Sequence, residues 1–446
     1  MKILIITDEV WNDDLHGNNM LTNWFADFDA EFANIYCNPG NPKNLICSKY
    51  FQITDKMMMR SLLSGKAKAG FAFELTPEDI SNAKGNFLGE QESLKLYRFL
   101  KSMSTESLRA IREFIWNYGR YDLIALKKFI DEFQPDIIFS TRMASIKILR
   151  LENIVYHLAQ KPIVAFTGDA EYSMKLLRLS PIFWIKRAIL RKKFREMMNN
   201  YSLYYTLSEV QKQEYEEEFG EKFKILRKCS DFNNYNPEKP IHKPIKITYA
   251  GKLYSKRWKT LLYLARALKE INKYEQRIVL EIYSKDKLSR RQLKILNDHY
   301  NTFYHGAIAP SELENKYIES DIALHVESFD IKNRLLTRVS FSTKIVDCIA
   351  SGCAVMVISW KNHEGFIYLK KEDAAFTIGN QNHILHVLEK IVNSPQLIAY
   401  YSEKAYICGK CNHSKENVQD QIQNDFNEII KHNSKDKGAV NENNSN

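Results

Sequence analysis

The chain has 446 residues, 44% of them hydrophobic and 26% charged, a net charge of +10 and seven cysteines. That length predicts two domains of roughly 200 residues rather than one core, and the composition is that of a soluble globular protein. No run of about 18 uncharged apolar residues is present, which excludes a spanning helix; an odd cysteine count in so long a chain predicts a reducing, cytoplasmic setting without a disulfide framework.

The opening MKILIITDEV meets Asp8 and Glu9 too early for a signal peptide and reads as a first buried strand, residues 3–7. Further strands are expected at 32–36, 137–140, 163–166 and 203–206, with helices at 20–28, 90–116, 123–133, 145–157, 182–198 and 208–219. Residues 60–90 lack a clear period. Strands separated by helices of this length predict parallel βαβ units. CSDFNNYNPEKPIHKP, rich in Asn and Pro, reads as a linker (231–244) after a first domain, 1–230. A second α/β set occupies 245–411. Its strands are expected at 245–250, 278–283, 302–305, 322–326, 354–358 and 374–378, and its helices at 258–272, 290–300, 311–319, from Ser342, 383–392 and 396–410. Residues 412–432 predict a last helix, and the polar tail 433–446 is expected to be disordered. The predicted architecture is α/β: two Rossmann-like, doubly wound domains facing across a cleft, with ligands beyond the carboxyl ends of the strands.

The densest chemistry lies at 321–358, DIALHVESFDIKNRLLTRVSFSTKIVDCIASGCAVMVI. Glu327 ends a strand and a polar loop follows. Ser342, Thr343 and Lys344 then open a helix carrying Asp347. A helix start offers unpaired N–H groups and a positive dipole end to an anion, and Lys344 adds a point charge suited to phosphate. Asp347 suits a ribose diol and Glu327 sugar hydroxyls; alternatively, Ser342 is a plain N-cap. After the strand at 245–250, Gly251 permits close backbone approach, and Lys252 and Arg257 bring two cations, read otherwise as surface charge around a turn.

STKIVDCIASG resembles the nucleotide-sugar-binding segment of retaining GT-B glycosyltransferases of the family 4 type. The run HVESFD…NRLLTRVSFSTKIVDCIASG is similar to a bacterial branch of capsule and surface-polysaccharide assembly. The resemblance implies a GT-B fold and transfer, with retention and without a metal or other cofactor, from a nucleoside-diphosphate sugar to a glycan, here a lipid-linked one. It implies that Asp347 binds the ribose and Glu327 the donor sugar, although the two acids stand 20 apart, farther than is common in the family, and the second is Asp rather than Glu. Gly251 and Lys252 match the Gly-Arg start of the family's second domain, and its usual Lys is either Lys256 or Arg257. These cations would stabilise the departing diphosphate. His16-Gly17-Asn18 resembles the glycine loop beneath the donor phosphates, though Asn18 as a helix cap accounts for much of it. Asp13, Asp14 and His16 are acceptor-side candidates. Asp169 stands where relatives carry His-Asp, either orienting an acceptor hydroxyl or assisting proton removal, or capping the next segment. The last helix would cross back onto the first domain.

Residues 175–195 carry eight Lys/Arg and no Asp or Glu, interleaved with Leu, Ile, Phe and Trp. This pattern suits contact with an anionic membrane surface, a peripheral location at the inner face of the cytoplasmic membrane, or a core helix with a solvated basic face. No nucleic-acid motif accompanies it, and GxGxxG and GxxxxGK[ST] are both missing. Asp27-Phe28-Asp29 and Cys408/Cys411/His413 lack the context of a metal site. Two rival functions are a nucleotide-sugar epimerase of the same fold and a non-catalytic membrane-associated assembly subunit.

Overall fold

A computed structural model of the chain describes residues 1–14, 20–76, 79, 106–142, 145–168 and 170–443, with backbone alone at 106, 107, 109, 110, 310, 311 and 434–443. The first sheet comprises β1 (Lys2–Thr7), β2 (Glu31–Tyr36), β3 (Lys49–Gln52), β4 (Phe71–Glu74), β5 (Ile137–Arg142), β6 (Ile163–Thr167), β7 (Tyr201–Thr206) and β8 (Phe223–Ile225). Their order is β4-β3-β2-β1-β5-β6-β7-β8. All neighbours are parallel except β3 and β4. The second sheet comprises β9 (Ile245–Ala250), β10 (Ile278–Tyr283), β11 (Thr302–Gly306), β12 (Ile322–Val326), β13 (Ala354–Ile358) and β14 (Phe376–Ile378). Its order is β11-β10-β9-β12-β13-β14, parallel throughout.

The central strands are buried on both faces, which is why they read as unbroken apolar runs; β1, β12 and β13 hold Ile3, Leu4, Ile5, Ile322, Ala323, Val355 and Met356 at 0% exposure. In each sheet the strand order reverses once, between β1 and β5 and between β9 and β12. Ligand crevices of doubly wound folds open at such reversals, beyond the strands' carboxyl ends. The loops after β1, β9 and β12 are therefore the ones that topology assigns to a site.

The helix Lys415–Asn443 returns to the first domain. Val418, Ile422 and Phe426 are buried, with Phe426 5.9 Å from Phe139 and 6.5 Å from Phe25. Asp425 accepts from Tyr205 and pairs with Lys224. The expected tail is a correction: the helical backbone runs on through 433–443, since each further residue adds one backbone hydrogen bond to a helix already nucleated. The loop after Glu327 likewise contains a helix, Ile331–Leu336, whose N-cap Asp330 accepts from Asn333 N at 3.4 Å. The first half of the helix expected at 90–116 lies outside the described residues; its end appears within Glu106–Tyr118.

Candidate functional site

The two reversals face each other across a cavity of about 800 Å³. One wall comes from the ends of β1, β5 and β6 (Thr7 to Asp13, Arg142, Phe166, Gly168), the other from the loops after β9, β12 and β13. Salt bridges hold the walls together: Arg227 to Glu364 at 3.0 Å, Arg338 to Glu214 at 2.8 Å and Lys228 to Asp347 at 2.5 Å. Ser208 also donates to the carbonyl of Val339 at 2.7 Å.

On the second-domain wall, the turn after β9 is tight. Ser255 and Lys256 both adopt left-handed backbone, and the Tyr249 hydroxyl donates to Lys252 O at 2.8 Å. Gly251 makes room for Lys344: a Cβ at 251 would lie 2.2 Å from Lys344 Nζ and 3.1 Å from the Tyr249 hydroxyl. Burial, with the nearby charge of Arg257, lowers the Lys344 pKa to about 8. Ser342 occupies the N-cap position of the helix Thr343–Ala350, yet its hydroxyl makes no cap bond. Ser342, Thr343 and Lys344 line the cavity together with Lys252. Among the described residues, neither Lys252 nor Lys344 has a carboxylate within ion-pair distance.

Glu327 and Arg257 also line the cavity, but they are committed to each other. Arg257 Nε donates to Oε2 at 3.0 Å and its terminal nitrogen to Oε1 at 2.5 Å, a two-pronged pair. Burial alone would raise the Glu327 pKa; His325 and Arg257 overcome that and hold the carboxyl well below the usual range. The expectation that Glu327 is free for sugar hydroxyls and Arg257 for phosphate is thus corrected: a buried carboxylate and a buried guanidinium this close neutralise each other first. Lys256 pairs with Asp330 at 2.6 Å and does not line the cavity, so of the two alternatives Arg257 is the cavity residue. Asp347 does not line it either; it is half-buried against Lys228. That placement departs from a free ribose ligand, and its cause is Lys228, at the end of the first domain, reaching across the domain boundary.

His363 was not singled out from sequence. It is buried in the cavity wall and caps the helix Glu364–Lys371, its Nδ1 accepting from Gly365 N at 3.2 Å. Burial lowers its pKa to about 4 against the pull of Glu327, so the ring is neutral at pH 7. With Nδ1 accepting, the proton sits on Nε2, a donor. No sequence signal announces it, because histidine is not a preferred N-cap.

On the first-domain wall, Asp13 accepts from Thr22 at 2.7 and 2.9 Å, and Trp11 Nε1 donates to the same hydroxyl at 2.9 Å. Asp14 is exposed, paired with Lys43 and outside the cavity lining, a correction to its acceptor-side role: the turn carrying Asp13 inward sends its neighbour outward. Asp8 lines the cavity and pairs with Lys147. His16, Gly17 and Asp169 lie outside the described residues. Beneath this wall Arg142 is fully enclosed by Glu152 and Glu171, at 2.8 and 2.9 Å, with the Tyr201 hydroxyl. Phe183, the part-exposed ring here, with the carboxylates of this wall is suited to a sugar, whose faces are apolar and whose hydroxyls donate, while Trp11, Trp24 and Phe166 are buried.

No family model and no curated protein sequence matches the chain. Solved structures do. Anabaena HepE in complex with UDP superposes with a TM-score of 0.58 at 12% identity, over 95% of this chain and 99% of that one. Sucrose-phosphate synthase from Thermosynechococcus elongatus gives 0.58 at 12%, over 97% and 100%. The E. coli trehalose-6-phosphate protein bound with UDP-2-fluoro glucose gives 0.59 at 9%, over 96% and 99%. At these identities the likeness is one of fold: the chain has the GT-B architecture, two Rossmann-like domains facing across a cleft.

Proposed function

We propose that the chain is a glycosyltransferase that moves a sugar, with retention, from a nucleoside-diphosphate donor to a lipid-linked glycan in bacterial surface-polysaccharide assembly. The observation that carries this reading is the cluster of Lys252, Lys344, Ser342 and the helix start at the strand-order reversal, with Gly251 keeping the lysine in place. Those groups suit a diphosphate, and they stabilise it most as it departs and negative charge develops. Because protein cations meet that charge, the reaction is proposed to run without a metal. Arg257, anchored on Glu327, shapes the sugar end, and His363 Nε2–H is a donor beside it. UDP is the nucleotide held by HepE, and HepE is also solved with UDP-glucose, so UDP is the first donor nucleotide to test.

Two exposed apolar faces support a location at a membrane surface. Leu179 is 95% exposed and Ile185 62%, on the segment that also carries Ile182, Ile189 and Lys192; Phe114 and Tyr118 are both 59% exposed on the neighbouring helix Glu106–Tyr118. No helix among the described residues is long and apolar enough to cross a membrane. An epimerase would leave the exposed apolar faces without a role, and a scaffold would leave the lysine cluster without one. The test is calorimetry with UDP, GDP and other nucleoside diphosphates. One-to-one binding of one of them, weakened about tenfold or more in Lys344→Met, is expected; no binding of any overturns the reading.

A further inference from the structure

Residues 328–341 leave the second-domain wall at Glu327, reach the first domain and return at Ser342. The second domain holds the outgoing half: Asp330 pairs with Lys256 at 2.6 Å, and the Arg334 guanidinium lies 4.8 Å from the centre of Trp360. The first domain holds the returning half. Arg338 donates to Glu214 at 2.8 Å and to the Ser173 hydroxyl at 3.3 Å, and Ser208 donates to Val339 O at 2.7 Å. The guanidinium carbon of Arg227 lies 4.2 Å from the centre of Phe341. Val339 and Phe341 are buried. Ser340 stands between these fixed neighbours, its N–H donating to Thr337 O at 3.0 Å. Its side chain is half-buried in the cavity lining, and among the described residues its hydroxyl has no hydrogen-bond partner.

Ser342 opens the phosphate cradle two residues further on, and two residues span at most about 7 Å. A sugar joined to a diphosphate held there comes within reach of Ser340. Leu336 and Thr337 line the cavity beside it. Arg334 and Arg338 do not line it, so this stretch brings no charge to the cavity wall. Across the cavity Glu9 and Asp13 add negative charge, with Arg178 the exposed cation of that wall. A placed hydroxyl both donates to and accepts from a sugar hydroxyl, whereas an uncharged wall leaves a sugar carboxylate desolvated and unpaired. We propose that Ser340 hydrogen-bonds the donor sugar and, with Leu336 and Thr337, selects an uncharged sugar over a uronic acid. This rests on the transferase reading and adds the donor sugar's chemical class and the residue that reads it. Arg338 is a positioning residue, whose grip on Glu214 fixes where Ser340 stands.

The test is calorimetry of the full chain with UDP, UDP-glucose, UDP-N-acetylglucosamine and UDP-glucuronate. The tighter of the two uncharged esters is expected to bind at least about tenfold more tightly than UDP-glucuronate. Ser340→Ala should weaken that ester about fivefold, the value of one neutral hydrogen bond, and leave UDP affinity as it is in the wild-type chain. Ser340→Arg should favour UDP-glucuronate over either uncharged ester. Arg338→Gln should also weaken the ester and not UDP, and Arg338→Lys should restore part of the loss. UDP-glucuronate binding the wild-type chain as tightly as the uncharged esters overturns the selection. Unchanged ester affinity in Ser340→Ala, or an equal loss for UDP, overturns the contact. UDP binding without these differences refutes this proposal alone; no binding of UDP or any ester refutes the donor assignment and the proposal with it.

Discussion

Raising the pH from about 7 to about 9 is expected to weaken UDP binding about tenfold, through Lys344. Its ammonium is buried beside Arg257, which lowers the pKa to about 8. In the free protein the group is therefore about 90% charged at pH 7 and about 10% charged at pH 9. A diphosphate binds the charged form and raises its pKa again, so above pH 8 binding takes up a proton and affinity falls as pH rises. The slope is about tenfold per unit, or about 1.4 kcal/mol. The phosphate charge of the ligand is constant across the window, since a terminal phosphate titrates near 6. Calorimetry in buffers of different ionisation enthalpy reads both the affinity and the proton uptake. Lys344→Met should bind about tenfold or more weakly at pH 7, the value of a charge-assisted hydrogen bond, and should show no slope. A flat wild-type profile, or a wild-type slope surviving in Lys344→Met, would refute the reasoning.

Gly251→Ala should mimic part of that loss without unfolding the chain, because the added Cβ displaces a flexible lysine end rather than backbone; unchanged UDP affinity with an unchanged melting temperature would count against the placement of Lys344. Glu327→Ala leaves Arg257 buried without its partner and is expected to cost about 3–5 kcal/mol in denaturant unfolding; a loss under about 1 kcal/mol contradicts the pairing. His363, with its folded pKa near 4 below the ordinary value, opposes folding once the unfolded chain takes up protons. Stability should fall as pH drops from about 6.5 to about 4, and His363→Asn should flatten that part of the curve. Asp347→Ala and Lys228→Ala separate two roles: equal losses of UDP affinity point to the ion pair across the domains, whereas a loss of about tenfold confined to Asp347→Ala points to the ribose.

Much of the fold was legible because buried parallel strands announce themselves. Residues 354–358 are a continuous apolar run, and 245–250, 278–283 and 322–326 are mostly apolar with one or two polar residues each; the strands occupy those positions. Lys49–Gln52, Phe71–Glu74 and Phe223–Ile225 escaped notice because short strands toward the sheet's ends need fewer apolar residues. Within the site, types and positions were legible: Lys252, Arg257, Glu327 and Ser342 to Lys344 line the cavity, and Gly251 packs against Lys344. Pairing was not. Arg257 and Glu327 lie 70 residues apart and Lys228 and Asp347 119 apart, and nothing local says whether opposite charges reaching one cleft meet a ligand or each other. His363 escaped because its cap bond uses a ring nitrogen and the helix behind it had no recognised start.

The most direct measurement of the central claim is transfer itself: labelled nucleotide sugars incubated with the chain and bacterial membrane extract, followed by extraction of the lipid fraction. The account predicts label in the lipid fraction with the wild-type chain and its loss with Lys344→Met. Label confined to a free epimer in solution, or equal transfer by wild type and Lys344→Met, would contradict it.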